Sequence, residues 1–280
     1  MTNQIGFIGG GNMAGSLIGG LAESVRSKDS SLDISNWAVF EPNNERALEL
    51  KKNHGISVAA NNNDLVSNSN VIVLAVKPQV LENVLVPLKE SINQSKPLII
   101  SIVAGIRSTS IEKWLGTEHG IVRVMPNTPA LIGSGASGLF ANNHVTESQR
   151  SFTENLMSRS GVCVWVKDEE DIDTVTALSG SGPAYFMLFI QSLIDSAISA
   201  GLDESSAKTL ATATAAGAAK LIDSSDESIA TLIDNVTSPG GTTEKALASF
   251  EESNLADIVQ SAFEAAKQRS VTLADELGTK

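Results

Sequence analysis

The chain has 280 residues, 42% hydrophobic and 19% charged, which is the composition of a folded globular protein rather than a disordered one. Its 20 Lys and Arg against 32 Asp and Glu give a formal net charge of −12, which argues against nucleic acid as a partner, since such binders carry a basic face. One cysteine, Cys163, makes no intrachain disulfide, and His54, His119 and His144 are too scattered for a zinc-ligand pattern.

The first residues, Met1 to Gln4, lack the basic segment of a signal peptide. From residue 4 to about 166, short β-rich runs alternate with amphipathic stretches. The runs are Ile5–Ile8, Trp37–Phe40, Val71–Val76, Leu98–Ile102, Ile121–Val124 and Val162–Val166. Helix patterns lie between several of them, at Ala14–Val25, Glu45–Asn53 and Ser110–Leu115. Continuous apolar runs separated by helices imply strands buried on both faces, and so an α/β fold with a mostly parallel sheet. The acidic run Asp168-Glu169-Glu170-Asp171 marks a junction and reads as a solvated helix start. Beyond it the patterns are helical, over 171–201, 205–224, 228–235, 243–252 and 255–277. The most apolar stretch, Ala184–Ala200, carries Gln191 and Asp195 and is too short to span a bilayer comfortably. Seven alanines fall within residues 207–219. Such small side chains suit a subunit interface or a tight packing inside one subunit, and composition alone does not choose. The expectation is a soluble, cytoplasmic protein with no membrane partner.

The first strand runs into Gly9-Gly10-Gly11-Asn12-Met13-Ala14, a match to G-x-G-x-x-A. The chain must turn sharply there, let its backbone approach a pyrophosphate, and pack a helix on the strand. The helix start then offers unpaired N–H groups and a positive dipole end to the phosphates. Position after the first strand and before a helix makes dinucleotide binding the reading, against a ligand-free glycine turn. At the end of the second strand Glu41 suits the ribose hydroxyls of NADH and repels a 2′-phosphate. It lies further from the glycines than the usual spacing of about 20 residues, an excess the insertion Ser27–Ser35 explains. Asn43, Asn44 and Arg46 follow closely and suit a phosphate, so the cofactor is NADPH or NADH, with a lean to NADH.

Ligands of such sheets sit beyond the carboxyl ends of the strands. Lys77 and Pro78 follow one strand, Ser101-Ile102-Val103-Ala104-Gly105 end the next, and Met125-Pro126-Asn127-Thr128-Pro129 close another. Asn127 and Thr128 either face the site or belong to a turn built on two prolines. In the helical half, Leu178-Ser179-Gly180-Ser181-Gly182-Pro183-Ala184-Tyr185 interrupts an apolar helix, as a bend or a close backbone contact. Between two helices lies Thr237-Ser238-Pro239-Gly240-Gly241-Thr242-Thr243. Free N–H groups at a helix start hold a carboxylate, and two threonine hydroxyls add neutral donors. Anion binding is favoured there over helix capping alone.

Together these segments, with Gly6-Phe7-Ile8 before the glycine loop, Ala75-Val76-Lys77-Pro78-Gln79 and Asp234-Asn235-Val236 before the last loop, resemble the pyrroline-5-carboxylate reductase family in kind and order over nearly the whole chain. The resemblance implies an N-terminal Rossmann domain over 1–166 and an all-α dimerisation and substrate domain over 167–280. It implies reduction of 1-pyrroline-5-carboxylate to proline by hydride from NADPH or NADH, the last step of proline biosynthesis. The implied assembly is a homodimer or a higher homo-oligomer such as a decamer. In it the loop at 238–243 of one subunit completes the site facing the other's nicotinamide. Residue by residue, Gly9, Gly10, Gly11, Asn12 and Met13 hold the pyrophosphate, Ile8 belongs to the same cofactor site, and Glu41 and Asn62 lie near the adenosine. Ala75, Val76 and Lys77 lie at the nicotinamide ribose, and Val103 and Ala104 flank the ring. Ser238, Gly240, Gly241, Thr242 and Thr243 bind substrate, with Thr243 as the catalytic contact to the ring nitrogen. No metal is implied. The chain departs from the family at Glu41, where many members carry Ser or Thr, and at Asp226-Glu227-Ser228, which lacks a common His-Pro pair. Three rivals remain: a reductase of a related cyclic imine, a β-hydroxyacid dehydrogenase using Lys208 or Lys220, and a nucleotide-sensing protein without turnover.

Overall fold

The computed structural model of the chain describes residues 4–27 and 33–278. Residues 1–3 of the N-terminal segment and 28–32 of the Ser27–Ser35 insertion lie outside the described residues. The apolar runs form strands β1 (Ile5–Ile8), β2 (Trp37–Phe40), β3 (Ser57–Val58), β4 (Val71–Leu74), β5 (Leu98–Ser101), β6 (Ile121–Met125), β7 (Gly135–Ala141) and β8 (Gly161–Trp165). They lie in one sheet in the order β3-β2-β1-β4-β5-β6-β7-β8. All neighbours pair parallel except β6 and β7, which are antiparallel. The order reverses between β1 and β4, and that switch point places a crevice at the carboxyl ends of these two strands.

Six strands lie where the apolar runs predict them. The other two carry no such run. Ser57–Val58 has two exposed residues, too few for any period. Gly135–Ala141 reads Gly-Ala-Ser-Gly-Leu-Phe-Ala, and its small residues hide a strand that pairs on both sides.

Helices α1 (Asn12–Ser27), α2 (Asn44–His54), α3 (Asn62–Ser67), α4 (Pro78–Leu85), α5 (Lys89–Ser95), α6 (Ser108–Leu115) and α7 (Glu147–Met157) connect the strands. One face of the sheet buries Phe7, Trp37, Val73 and Ile100 with Leu17, Ile18 and Leu21 of α1. The other face buries Ile8, Ile72 and Ile99 with Leu81 and Leu85 of α4 and Ile111 of α6. Strands covered on both faces are what parallel pairing requires.

After the sheet come α8 (Asp171–Val175), a π-turn at Thr176–Gly180, α9 (Gly182–Ser199), α10 (Glu204–Asp223), α11 (Ile229–Asn235), α12 (Thr242–Glu252) and α13 (Leu255–Gly278). The chain divides into two compact units, one up to Ser181 and resuming at Ala266, the other Gly182–Ala265. The first therefore contains the sheet and the C-terminal end of α13. Within the second, α9 packs along α10, and the rings of Phe189 and Phe250 stand 6.0 Å apart. Of the seven alanines on α10 only Ala207 is buried, while Ala213, Ala216, Ala218 and Ala219 are exposed. Phe186, Met187 and Leu188 of α9 are exposed as well.

Two expectations are corrected. Glu169 is not part of a solvated helix start. It accepts hydrogen bonds from the Ser108 N–H at 2.6 Å and hydroxyl at 2.7 Å, and pairs with buried Arg123 at 3.0 Å. An acidic run looks solvated in sequence when its basic partners lie 46 and more residues away. The apolar segment is also longer than 184–200. Through the π-turn the helical run is continuous over Asp171–Ser199, 29 residues containing an 18-residue window of mean hydropathy 1.2, enough by length and composition to cross a membrane.

At the amino ends of β5 and β6, remote from the crevice, the buried His119 ring lies 2.7 Å from Asn93 Oδ1 and 2.9 Å from Thr117 Oγ1. Burial, with Lys96 and His144 nearby, holds its pKa below the ordinary value. The unfolded chain then binds that proton more readily. The stabilisation is complete above about pH 6.5 and disappears as pH falls through the lowered value. Thermal denaturation from pH 7.5 to 5 is expected to show Tm falling with pH, and a shallower fall in His119→Gln. Equal slopes would remove His119 from the account.

Candidate active site

The crevice is a cleft of about 720 Å³ at the carboxyl ends of β1, β2 and β4. Gly9 leaves β1 at φ +98°, and a Cβ there would stand 2.7 Å from the carbonyl oxygen of Ala75. Only glycine takes that turn without strain. At Gly11 a Cβ would touch nothing, so the loop backbone lies bare toward the cleft. α1 starts immediately after it, at Asn12.

Ile8, Gly9, Gly11, Asn12 and Met13 line this cleft together with Glu41, Asn62, Ala75, Val76 and Lys77. Residues that are up to 69 positions apart in sequence thus share one hollow, because three parallel strands end side by side. Gly10 is held from both sides of its peptide. Its N–H donates to Glu41 Oε2 at 2.7 Å, and its carbonyl accepts from Arg46 Nε at 3.0 Å. The other oxygen of Glu41 accepts from the Asn43 N–H at 3.1 Å. The carboxylate is therefore fixed at the lip of the cleft. Lys77 is the N-cap of α4, with Pro78 in the first turn, where a missing N–H costs nothing.

Phe40, Pro42, Val80 and Val84 also line the cleft and were not singled out from sequence. Val80 and Val84 are one helical turn apart on α4, a stripe that could have been read as the wall facing a ligand. Val103 and Ala104 do not line it. They lie in the loop after β5, the next strand along, with Val103 5% exposed. Asn127 does not face a site either. Its side chain donates to the Ser179 carbonyl at 3.0 Å and accepts from the Ala136 N–H at 2.9 Å, bolting the π-turn to β7.

In the second unit, α12 opens at Thr242 with Gly241 as its N-cap, and no side chain caps it. The loop before it closes through Gly241 N–H to the Ser238 carbonyl at 2.9 Å. Glu244 reaches back to the Gly240 N–H at 2.6 Å. Ser238, Gly240, Gly241, Thr242 and Thr243 are thus gathered at one helix mouth. Lys208 and Lys220 are exposed on α10. The thiol of Cys163 is pushed up to about 11 by burial and by Glu154, which keeps it protonated and a poor nucleophile. Among the described residues no group of His, Cys, Asp and Glu is arranged to hold a metal ion.

A dinucleotide fits the cleft. The loop supplies bare backbone at a helix start, and apolar side chains supply a wall. The Oδ1 of Asn62 is buried without a hydrogen-bond partner in a hollow that a ligand donor would enter.

Comparison with known proteins decides the family. A pyrroline-5-carboxylate reductase of Pseudomonas aeruginosa is 42% identical over 277 residues, 99% of either chain. The chain belongs to the pyrroline-5-carboxylate reductase family. Residues 169–273 match the family described as pyrroline-5-carboxylate reductase dimerisation, and residues 4–105 match NADP oxidoreductase, coenzyme F420-dependent. The solved structure of a pyrroline-5-carboxylate reductase from Coxiella burnetii superposes with a TM-score of 0.90 at 38% identity, covering 98% of this chain and 99% of that one. One from Plasmodium falciparum, with NADP bound, gives 0.86 at 33% identity over 97% and 98%. The fold is thus a Rossmann domain followed by a helical dimerisation region, and the chain is a homo-oligomer. The exposed alanines of α10 and the exposed Phe186, Met187 and Leu188 of α9 lie within that dimerisation match.

Substituting Gly9→Ala is expected to raise the dissociation constant for the reduced cofactor at least tenfold, about 1.4 kcal/mol, because the turn must shift away from Ala75. Titration of cofactor fluorescence checks it, and unchanged affinity would place the cofactor elsewhere.

Proposed function

We propose that this chain reduces 1-pyrroline-5-carboxylate to proline, the last step of proline biosynthesis, with NADPH or NADH bound in the cleft between β1, β2 and β4. The observation that carries the reading is the shared hollow of glycine loop, Glu41, Asn62 and Ala75–Lys77, in a chain that matches this reductase family from end to end. Bound there, a reduced nicotinamide supplies a hydride to the C=N carbon of the cyclic imine. The chain's part is holding and orienting. The Gly9–Met13 turn and the start of α1 take the pyrophosphate, and Asn62 takes a donor of the adenosine. Ala75, Val76 and Lys77 lie at the ribose of the nicotinamide, with Val103 and Ala104 beside its ring.

The substrate carboxylate is assigned to the mouth of α12, at the Gly240-Gly241 turn, where Thr242 offers an N–H group and Ser238 a hydroxyl; a carboxylate that takes the Gly240 N–H does so in place of Glu244. Thr243 hydrogen-bonds the ring nitrogen. A protonated imine has a more electrophilic carbon, and the substrate brings that proton itself, so no strong acid is needed. This agrees with a site whose assigned residues include no histidine or cysteine. The work is chiefly orientation of two bound molecules. In the proposed assembly, a dimer or a higher oligomer such as a decamer, the 238–243 loop serves the partner's cofactor. We place the protein in the cytoplasm, with no nucleic-acid or membrane partner. The apolar run 171–199 lies wholly within the dimerisation match and so has a second subunit as its reason.

Glu41 favours NADH. Its carboxylate stands at the lip of the cleft and repels a 2′-phosphate, which would otherwise find Asn43 and Arg46. Assays with pyrroline-5-carboxylate and each nicotinamide in parallel test both points. Oxidation of neither cofactor would sink the proposed reaction. Glu41→Ser is expected to raise the NADPH:NADH ratio of kcat/KM about tenfold, the effect of removing one misplaced charge. A wild-type enzyme strongly preferring NADPH would take Glu41 out of cofactor choice. Thr243→Ala should lower kcat/KM roughly tenfold or more, about 1–3 kcal/mol for an unpaired polar group. Wild-type kinetics in that variant would remove Thr243 from the mechanism.

A further inference from the structure

The first unit contains a buried ionic cluster that the reaction as described does not use. Its two carboxylates, Glu169 and Asp173, lie four residues apart at the start of α8. Glu169 takes the Ser108 N–H and hydroxyl and the guanidinium of Arg123. Asp173 takes Arg107 Nη2 at 2.6 Å on one oxygen and the Ser270 hydroxyl of α13 at 2.7 Å on the other. Arg107 also donates to the Glu169 carbonyl at 3.2 Å. The side chain of Asp173 is 3% exposed and that of Arg123 4%.

This cluster grips one end of a single loop, Ile102–Arg107, which joins β5 to α6. The other end is fixed to the sheet, where the Ile102 N–H donates to the Leu74 carbonyl at 3.1 Å and the Val103 N–H to Ser101 Oγ at 3.4 Å. The middle is pressed from behind by the end of α13. Gly105 sits at φ +69°, and a Cβ there would stand 3.1 Å from Leu273 Cβ. A six-residue loop is thus held at both ends and in the middle, and it carries Val103 and Ala104.

Buried ion pairs add little net stability over an apolar filling of the same space, but they fix direction. We propose that Asp173 is a positioning residue for hydride transfer: through Arg107 and Ser270 it ties the Ile102–Arg107 loop to α13 and sets where Val103 and Ala104 stand. The proposal rests on the reading that these two residues flank the nicotinamide ring. Asp173 touches neither cofactor nor substrate. It acts on the angle and distance of transfer, to which rate is steeply sensitive. Adenosine and pyrophosphate contacts, made on β1, β2 and β4, are untouched by it.

The test uses the full-length oligomeric enzyme with Asp173→Asn, Ser270→Ala and Ala104→Leu. Measured are the dissociation constant of the reduced cofactor, kcat, and the isotope effect on kcat with cofactor deuterated at the transferred position. Asp173→Asn is expected to lower kcat roughly tenfold or more, and Ser270→Ala roughly threefold. Cofactor affinity stays within about twofold in both, and the isotope effect rises as transfer becomes the slow step. If Asp173→Asn does not fold, Ser270→Ala, which removes one neutral donor, decides alone. A variant with weaker cofactor binding, lower Tm and an unchanged isotope effect would show a merely structural clasp and overturn the proposal. Ala104→Leu separates the two layers. Should it bind and turn over like wild type, the loop is not at the ring and both readings fall. Should it lose affinity or rate while the clasp variants keep wild-type kcat and isotope effect, the loop's place stands and the role of Asp173 alone is lost.

Discussion

At the carboxyl end of β1 the peptide of Gly10 is gripped by two side chains of the next strand–helix connection, Glu41 on its N–H and Arg46 on its carbonyl. That grip fixes the glycine turn to the end of β2. The turn in turn fixes α1, whose Leu17, Ile18 and Leu21 fill one face of the sheet. A turn so tight requires that Gly9 carry no side chain, since the neighbouring strand end at Ala75 is already in contact distance of where one would be. Close approach of two strand ends and a bare backbone between them are one constraint. It makes the core on one side and the cofactor cleft on the other.

In the function proposed here the two units divide the labour of the reaction. The first would hold the long, flexible cofactor by many weak contacts on rigid strand ends. The second would offer a small anion a helix mouth. Neither holds both reactants by the contacts assigned to it. A homo-oligomer would resolve this in the proposed arrangement: a helical region with apolar residues such as Phe186 and Leu188 exposed suits a second copy, and that copy would bring a substrate loop with it.

Much of this is legible in the residues. The six strands with continuous apolar runs are found in place because burial on both faces leaves an unbroken signature. The glycine loop is legible because its turn excludes side chains, and the opening of α12 because Pro-Gly-Gly cannot continue a helix. What the chain conceals is of two kinds. β7 is hidden because Gly135, Ala136, Ser137 and Gly138 are small for a reason local sequence does not show. A Cβ on Gly138 would collide with Val175, a residue of α8. Glu169 is misread because its partners Ser108 and Arg123 are distant in sequence. Charge that is buried and charge that is solvated look alike until the partner is known.

The end of α13 carries the same lesson into function. By pattern it is one more amphipathic helix, and most of it belongs to a helical region. Its last turns nevertheless return to the sheet unit, where Ser270 and Ala274 are buried and Leu277 packs against the core under α6. A chain whose only task was to pair two helical regions would have no need to bring its terminus back. Returning it places a rigid element behind the Ile102–Arg107 loop, at Gly105. The C-terminal helix is therefore part of the sheet domain's architecture as much as of the helical one.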